Sequence, residues 1–131
     1  MRILITGGGG FLGSELGRQA LALGWEVASI SRGRYPDLEA AGVECFQADL
    51  ATQTPEDEDA VLRRALRGRD AVFHTAAKAG IWGRRDDFWA ANIEATRNVV
   101  ESALREGVPR LVHTSSPSAC FTGASEVMAD E

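Results

Sequence analysis

The sequence predicts an α/β fold in which helices cover both faces of a parallel sheet. Short apolar runs alternate with longer stretches whose apolar residues recur at helical spacing, which is typical of successive βαβ units. Apolar residues make up 44% of the 131-residue chain and charged residues 25%, a balance that suits a globular domain. We therefore expect a single domain over residues 1–131 with no internal repeat.

Five strands are predicted from the short apolar runs. In chain order they are Arg2–Thr6, Glu26–Ser31, Val43–Ala48, Asp70–His74 and Arg110–Ser115. Crossovers between parallel strands are right-handed, and a doubly wound sheet reverses its direction once. These rules predict the strand order 3-2-1-4-5.

Helices are predicted between these strands. The first ends near Gly24, a short one covers Asp37–Ala41, and the last covers Asp86–Glu106. Thr54 and Pro55 predict the start of another helix, because acidic residues follow at 56–59 and arginines come later. In the last helix the main apolar stripe is Trp89, Ile93, Thr96, Val100 and Leu104, and the adjacent one is Phe88, Asn92, Ala95, Val99 and Ala103.

Charge and cysteine content exclude several classes of protein. The net charge of −5 argues against nucleic acid or an anionic membrane as the main partner. Cys45 and Cys120 lie far apart without a CxxC motif, so we expect no disulfide framework, no metal site and a reduced cytoplasmic setting. The four glycines at 7–10 interrupt the first apolar run, which is therefore neither a signal peptide nor a membrane span.

The most informative motif is the glycine-rich turn between the first strand and the first helix. Gly7, Gly10 and Gly13 have G-x-x-G-x-x-G spacing. A tight turn there requires residues without Cβ, and a pyrophosphate can reach backbone N–H groups only where no side chain intervenes. Because a strand precedes the motif and a helix follows it, the sequence predicts a dinucleotide-binding Rossmann fold.

The end of the second strand predicts which dinucleotide is bound. Folds that prefer NAD commonly have an acidic residue there to bind the ribose 2′-hydroxyl, whereas this chain has Ser31, Arg32, Gly33 and Arg34. A guanidinium suits a 2′-phosphate, and no carboxylate would repel it. We expect NADP, with NAD as the alternative if both arginines are solvent-facing loop charges.

Other candidate residues follow the carboxyl ends of the third, fourth and fifth strands, where open α/β sheets bind ligands. They are Asp49 and Leu50 for the adenine, then Thr75, Ala76 and Ala77 along the cofactor path, and Thr114, Ser115 and Ser116 near the substrate. Serine clusters also form ordinary turns.

Two polar residues have open roles. His74 lies within the fourth strand, where a packed core histidine is favoured over a catalytic base. Asn92 lies at the predicted contact of helix and sheet and needs a partner, which could be the cofactor, a water or the backbone.

These motifs together resemble the extended short-chain dehydrogenases/reductases of the NAD-dependent epimerase/dehydratase superfamily. The landmarks are TGGGGFLG at 6–13, DL at 49–50, VFHTAA at 72–77 and TSS at 114–116. HTAAKAGIWG and NIEATRNV are similar to the 3β-hydroxysteroid dehydrogenase branch, which includes bacterial 2-alkyl-3-oxoalkanoate reductases. Ala95 departs from the family's N-x-x-G-T pattern, from which we expect a slight packing change.

The resemblance implies hydride exchange between a nicotinamide and an alcohol or ketone carbon of a steroid-like or lipid-like small molecule. It implies that Ser116 orients the substrate oxygen and that the Lys78–Gly83 loop, with Trp82, borders the nicotinamide. The implied cofactor residues are Gly7, Gly10, Phe11, Leu12, Ser31, Arg32, Asp49, Leu50, Thr75, Ala76, Ala77, Asn92, Thr114 and Ser115.

Catalysis in this family also needs a Tyr-x-x-x-Lys pair. The chain has one tyrosine, Tyr35, and one lysine, Lys78, so it contains no such pair. We expect an inactive cofactor-binding fragment, truncated before the later strands and substrate lobe, of a longer enzyme that dimerises partly through helix 86–106. The alternatives are a non-catalytic NAD(P)-sensing module and a fragment of a nucleotide-sugar epimerase or dehydratase.

Overall fold

Residues 1–80 and 82–116 are described by the computed structural model, and they form one parallel five-stranded sheet with the order β3-β2-β1-β4-β5. The strands are β1 (Arg2–Thr6), β2 (Glu26–Ser31), β3 (Glu44–Gln47), β4 (Ala71–His74) and β5 (Leu111–His113). In register, Ile3 lies opposite Val27 of β2 and Ala71 of β4. The predicted fold class and strand order are confirmed.

Five α-helices connect these strands in the described part of the chain. They are α1 (Phe11–Ala22), α2 (Pro36–Ala40), α3 (Val61–Leu66), α4 (Arg85–Trp89) and α5 (Ala95–Arg105). A π-helical segment, Ala90–Glu94, joins α4 to α5, and a 3₁₀ turn covers Leu50–Thr52. No helix of the described residues is long and apolar enough to cross a membrane.

The core has two layers because successive residues of a strand point to opposite faces of the sheet. Leu4 of β1 packs with Leu62, Leu66 and Val99 on the face covered by α3 and α5. Ile3 and Ile5 point the other way and pack with Ala20, Val27 and Ala71 on the face covered by α1. Both layers hold β1 in the centre of the sheet, and its carboxyl end leads directly into the glycine-rich turn.

The predicted stop of the first helix at Gly24 is confirmed by its backbone geometry. Gly24 has a φ of +73°, its N–H donates to the carbonyl of Leu21, and the N–H of Trp25 donates to the carbonyl of Ala20. This double bond pattern is the Schellman motif, which needs a residue in the left-handed region.

The predicted helix start at Thr54 and Pro55 is wrong. Residues 55–60 form turns instead, and α3 begins at Val61. The side chain of Gln53 accepts a hydrogen bond from the N–H of Leu62 at 3.1 Å, so a residue outside the helix satisfies the first turn of α3. The acidic run lies in this exposed turn and has no part in a helix N-terminus.

The predicted main apolar stripe of the last helix is also wrong. Trp89 and Ile93 are nearly half exposed and Leu104 is mostly exposed. The buried face is the adjacent one, Ala95, Val99, Ser102 and Ala103. The buried positions 95, 99 and 103 each precede a predicted position by one residue.

Candidate dinucleotide-binding site

An open cleft of about 220 Å³ lies at the carboxyl ends of β1, β2 and β4. Its lining contains many of the residues predicted from sequence: Gly7, Gly10, Ser31, Arg32, Leu50, Thr75, Ala76 and Ala77. Tyr35, Ala91 and Ala95 also line it and were not predicted as site residues. The fold therefore brings together four separate predicted segments at the carboxyl end of the sheet.

The glycine-rich turn packs backbone against backbone. Gly7 has a φ of +72°, and a Cβ on it would come within 3.0 Å of the Cα of Ala76. A Cβ on Gly13 would collide with the carbonyl oxygen of Gly7. Gly17, by contrast, has only the tip of Ile5 near it, at 3.7 Å, so the packing of α1 against the sheet does not require glycine there.

The N-terminus of α1 fits an anionic group. Gly10 precedes the helix without a side-chain cap, and the N–H of Ser14 makes the first helical bond, to the carbonyl of Gly10 at 2.9 Å. The N–H groups of Phe11, Leu12 and Gly13 therefore precede the hydrogen-bonded part of the helix. Backbone donors at a helix N-terminus, next to a cradle that a Cβ would fill, fit a pyrophosphate.

The end of β2 holds an unpartnered hydroxyl beside an unpaired cation. Ser31 Oγ is buried and has no hydrogen-bond partner among the described residues. Within residues 1–80 and 82–116, no carboxylate lies within 4 Å of the Arg32 guanidinium, while Gln47 Nε2 donates to the Arg32 carbonyl at 2.9 Å. The backbone of Arg32 is thus held in place while its charge stays free for a ligand.

The two residues predicted to hold the adenine lie in different surroundings. Leu50 lines the main cleft and is buried. Asp49 lines a neighbouring cavity with Arg32, Lys78 and Asp87, and its carboxylate accepts the N–H of Ala51 at 3.0 Å. Asp49 therefore caps the 3₁₀ turn.

His74 belongs to a hydrogen-bonded chain that links β1, β4 and the last helix. Its Nδ1 lies 2.7 Å from Thr6 Oγ1, and its Nε2 lies 2.9 Å from Thr96 Oγ1. The Thr96 hydroxyl donates to the carbonyl of Asn92 at 2.8 Å, so it accepts from His74, and Nε2 carries the proton. This order leaves Nδ1 to accept from Thr6, whose hydroxyl also accepts the N–H of Ala76.

The environment keeps the His74 ring neutral. Burial lowers the pKa of His74 to about 4, and the neighbouring His113 contributes in the same direction. The two rings stack with their centroids 5.2 Å apart. A fully buried, bonded and neutral ring supports the interpretation of a packed core histidine over that of a catalytic base.

Asn92 clamps the loop that follows β4. Its Oδ1 accepts the N–H of Lys78 at 2.8 Å, and its Nδ2 donates to the Lys78 carbonyl at 3.1 Å. The Lys78 ammonium pairs with Asp87 at 3.1 Å and lies over the ring of Phe88. Of the partners that the sequence left open for Asn92, the structure shows the backbone of Lys78.

The hydroxyl residues after β5 lie outside the main cleft. Thr114, Ser115 and Ser116 are exposed, and the N–H of Thr114 donates to the carbonyl of His74 at 3.1 Å. Trp82 is also exposed. Cys120 and the rest of 117–131 lie outside the described residues.

The comparisons with known proteins agree with this geometry. Residues 3–131 match the NAD dependent epimerase/dehydratase family. The chain belongs to this family. The epimerase/dehydratase match covers the glycine-rich turn, the end of β2 and the segments after β3, β4 and β5.

Relatives in the epimerase/dehydratase family are much longer than this chain. It is 47% identical over 118 residues to a 2-alkyl-3-oxoalkanoate reductase of Stenotrophomonas maltophilia, covering 90% of this chain and 34% of the relative. It is 33% identical over 137 residues to a 3-beta-hydroxysteroid dehydrogenase of Mycolicibacterium neoaurum, covering 99% of this chain and 36% of the relative. The chain thus spans about a third of these curated relatives.

The fold is also found in solved structures with bound dinucleotide. The chain superimposes with a TM-score of 0.80 and 29% identity on MoeE5 in complex with UDP-glucose and NAD, covering 98% of this chain and 40% of that one. It superimposes on the Thermus thermophilus UDP-glucose 4-epimerase complex with NAD with a TM-score of 0.70 and 32% identity, covering 85% and 36%.

Proposed function

We propose that this chain is the NADP(H)-binding domain, residues 1–131, of an oxidoreductase that interconverts a secondary alcohol and a ketone. The observation that carries the proposal is the end of β2, where the unpartnered Ser31 hydroxyl and the unpaired Arg32 guanidinium line the main cleft without a carboxylate. A 2′-phosphate would supply the missing acceptor for both groups. A ribose 2′-hydroxyl would leave the Arg32 charge uncompensated.

Each segment of the cleft has a role in this proposal. The N-terminus of α1, with Gly7, Gly10, Phe11 and Leu12, would bind the pyrophosphate, and Leu50 would cover the adenine. Thr75, Ala76 and Ala77 would line the cofactor path, held by Thr75 Oγ1, which donates to the carbonyl of Thr6 at 2.7 Å. When bound, the nicotinamide supplies or accepts the hydride.

The catalytic part of the proposal lies near β5. Thr114, Ser115 and Ser116 follow β5 beside β4, at the same edge of the sheet as the cleft. Ser116 would orient the substrate oxygen by hydrogen bonding. We propose that the chain binds cofactor without turnover, because its one tyrosine lies beside the glycine-rich turn and no Tyr-x-x-x-Lys pair occurs in it.

Relatives support a lipid-like or steroid-like substrate for the longer protein. Two of them are named 2-alkyl-3-oxoalkanoate reductases and another a 3-beta-hydroxysteroid dehydrogenase. The family resemblance supports a cytoplasmic homodimer that acts on small molecules rather than nucleic acid. The likeness to MoeE5 with UDP-glucose favours nucleotide-sugar chemistry as the second candidate.

Titration of the chain with NADPH and NADH tests the binding proposal, with nicotinamide fluorescence as the readout. We expect NADPH to bind at least tenfold more tightly than NADH, because a hydrogen-bonded pair of charges contributes roughly 1.5 to 3 kcal/mol. Arg32→Ala should remove this preference and leave NADH affinity unchanged. The matched control is Arg34→Ala, since Arg34 lines a separate cavity.

Two results would contradict the proposal. Equal affinity of the wild type for both nucleotides would refute the NADP preference. The absence of saturable binding to either one, in a chain that circular dichroism shows to be folded, would refute cofactor binding itself.

A further inference from the structure

Tyr35 lies directly on the glycine-rich turn. A Cβ on Gly9 would coincide with three carbons at the hydroxyl end of the Tyr35 ring, so the face of the ring covers the Cα of Gly9. Gly9 occupies a variable position of the G-x-x-G spacing, and the phosphate-binding geometry does not explain why it is glycine. Any larger residue at position 9 would have to push the Tyr35 ring aside.

The start of α2 holds Tyr35 in this position. Pro36 begins the helix, and the Tyr35 carbonyl accepts the N–H of Leu38 at 3.0 Å and that of Glu39 at 3.4 Å. Proline also restricts the conformation of the residue before it. The backbone under the ring is therefore fixed, although the ring itself remains partly exposed.

The Tyr35 ring separates two cavities. On one side is the main cleft with Arg32, and on the other is a cavity of about 220 Å³ with Arg34. Tyr35 and Ser31 line both cavities. Without the ring, the unpartnered hydroxyl of Ser31 would face one continuous space.

The Tyr35 hydroxyl is placed near the arginine loop and has a free donor. It lies beside Gly33, where an added Cβ would be 3.4 Å from the hydroxyl oxygen. Within residues 1–80 and 82–116, the hydroxyl has no hydrogen-bond partner. Gly33 directly follows Arg32, so the hydroxyl and the free guanidinium belong to the same end of the cleft.

We propose that Tyr35 determines cofactor specificity: its ring forms the wall that holds the ribose 2′ substituent beside Ser31 and Arg32, and its hydroxyl donates to a 2′-phosphate. This inference rests on the proposed function of the cleft. It assigns two separable tasks to Tyr35, because the ring acts on any adenosine ribose and the hydroxyl acts only on a phosphate.

Three variants separate the tasks of ring and hydroxyl, with 2′,5′-ADP and 5′-ADP as probes and calorimetry as the readout. Tyr35→Phe keeps the wall, and we expect about a fivefold loss of 2′,5′-ADP affinity with 5′-ADP affinity unchanged. Tyr35→Ala removes both the wall and the hydroxyl, so 5′-ADP affinity should fall about tenfold and 2′,5′-ADP affinity about fiftyfold. Gly9→Ala displaces the ring from the other side and should lower both affinities. Arg34→Ala is the control and should match the wild type.

A spectroscopic measurement reports the contact directly. Because Tyr35 is the only tyrosine, 3-fluorotyrosine labelling yields a single ¹⁹F resonance. We expect 2′,5′-ADP to shift this resonance clearly more than 5′-ADP does. This measurement needs no substitution, so it remains decisive if Tyr35→Ala fails to fold.

The outcomes distinguish this inference from the proposed function. If the wild type prefers NADPH while Tyr35→Phe and Tyr35→Ala bind both probes within twofold of it, the inference is overturned and the proposed function stands. Equal ¹⁹F shifts with both probes would also overturn the inference. If the folded wild type binds no nucleotide, both are overturned.

Discussion

The two ends of the sheet differ in whether their arginine is paired with a carboxylate. At the amino end of the strands, Arg69 is almost fully buried, pairs with the carboxylate of Glu44 and donates to the carbonyl of Ala65 at 3.0 Å. At the carboxyl end, Arg32 is exposed, and no carboxylate of the described residues pairs with it. Each arginine lies next to a strand terminus, yet one is compensated by the protein and the other is not.

This difference distinguishes polar groups whose partners lie within the protein from polar groups that are left for a ligand. A buried guanidinium needs partners for its donors, and the fold supplies them at Arg69. Ser31 Oγ, at the opposite end of the sheet, is a buried polar atom without a partner among the described residues, and so is Ser102 Oγ on α5. Of these two serines only Ser31 lines the main cleft, and we interpret its end of the sheet as the one completed by a ligand.

The largest loss of stability is expected from a substitution in the glycine-rich turn at the carboxyl end of the sheet. Gly13→Ala would place a methyl group against the Gly7 carbonyl and the Gly8 Cα, and neither can move without moving the turn. We expect a loss of about 3 kcal/mol in the free energy of unfolding, measured by urea denaturation, together with loss of nucleotide binding.

Gly17→Ala is the matched variant on the same helix. Its methyl group would meet only Ile5 Cδ1 at ordinary contact distance, and alanine favours helix over glycine by about 1 kcal/mol. We expect this variant to be as stable as the wild type or more so. Equal destabilisation by both variants would show that the turn and α1 are not in direct backbone contact.

A comparable change in the free energy of unfolding is expected when the pH is lowered. It comes from His74, a polar group at the carboxyl end whose hydrogen-bond partners lie within the protein. The pKa of His74 is about 4 in the folded chain because of burial and His113, against an ordinary value of 6.5. The unfolded chain therefore binds a proton at a higher pH than the native chain does. Stability should fall by roughly 3 kcal/mol as the pH drops from about 6.5 to about 4.

Urea denaturation across this pH range tests the contribution of His74. His74→Gln should flatten the pH dependence, whereas His113→Gln should retain most of it; these are the only two histidines. An unchanged slope in His74→Gln would assign the pH dependence to the carboxylates instead.

A smaller effect is expected at Arg69. Arg69→Ala removes a buried side chain and its bond to the Ala65 carbonyl, but the Glu44 left behind is mostly exposed and can be hydrated. We expect a loss of about 2 kcal/mol in urea denaturation. Arg32→Ala should change stability by less than about 0.5 kcal/mol while it weakens NADPH binding. If both variants were equally unstable, the contrast between the two ends would fail.

The smallest effect is expected on the surface of the amino end. Arg2 Nε lies 3.2 Å from the carboxylate of Glu26, and both side chains are more than half exposed. Solvent screens such a pair, so Glu26→Gln should cost less than about 0.5 kcal/mol. A larger loss in the thermal or urea midpoint would mean that this pair supports the start of β1.

Periodic and local signals were sufficient to predict much of the fold. The bounds of β1 and β2 and the stop at Gly24 match the structure, because each depends on residues adjacent in sequence. The start of α3 was wrong because the amide of Leu62 is satisfied by Gln53, nine residues earlier. The buried face of the last helix was wrong by one residue, because the small side chains of Ala95, Val99 and Ala103 face the core while larger apolar side chains beside them stay exposed.

In the candidate site, too, the residues that depend on local sequence were predicted and the one that depends on a distant contact was not. Gly7, Gly10, Ser31 and Arg32 were predicted because each lies at or just after the end of a strand that the pattern identifies. Tyr35 was missed because its contact with Gly9 spans the first βα unit and depends on where α2 begins. Gly9, which the G-x-x-G-x-x-G spacing does not require, was the local signal that a side chain lies against the turn.

The clamp formed by Asn92 has a consequence for hydrogen exchange. The amide of Lys78 belongs to a loop, yet the Asn92 carboxamide holds it as a neighbouring strand would. Deuterium should therefore enter this amide slowly, at a rate set by the opening of the 90–94 segment rather than by the loop. The exchange map would show a protected proton next to rapidly labelled residues at 79–80.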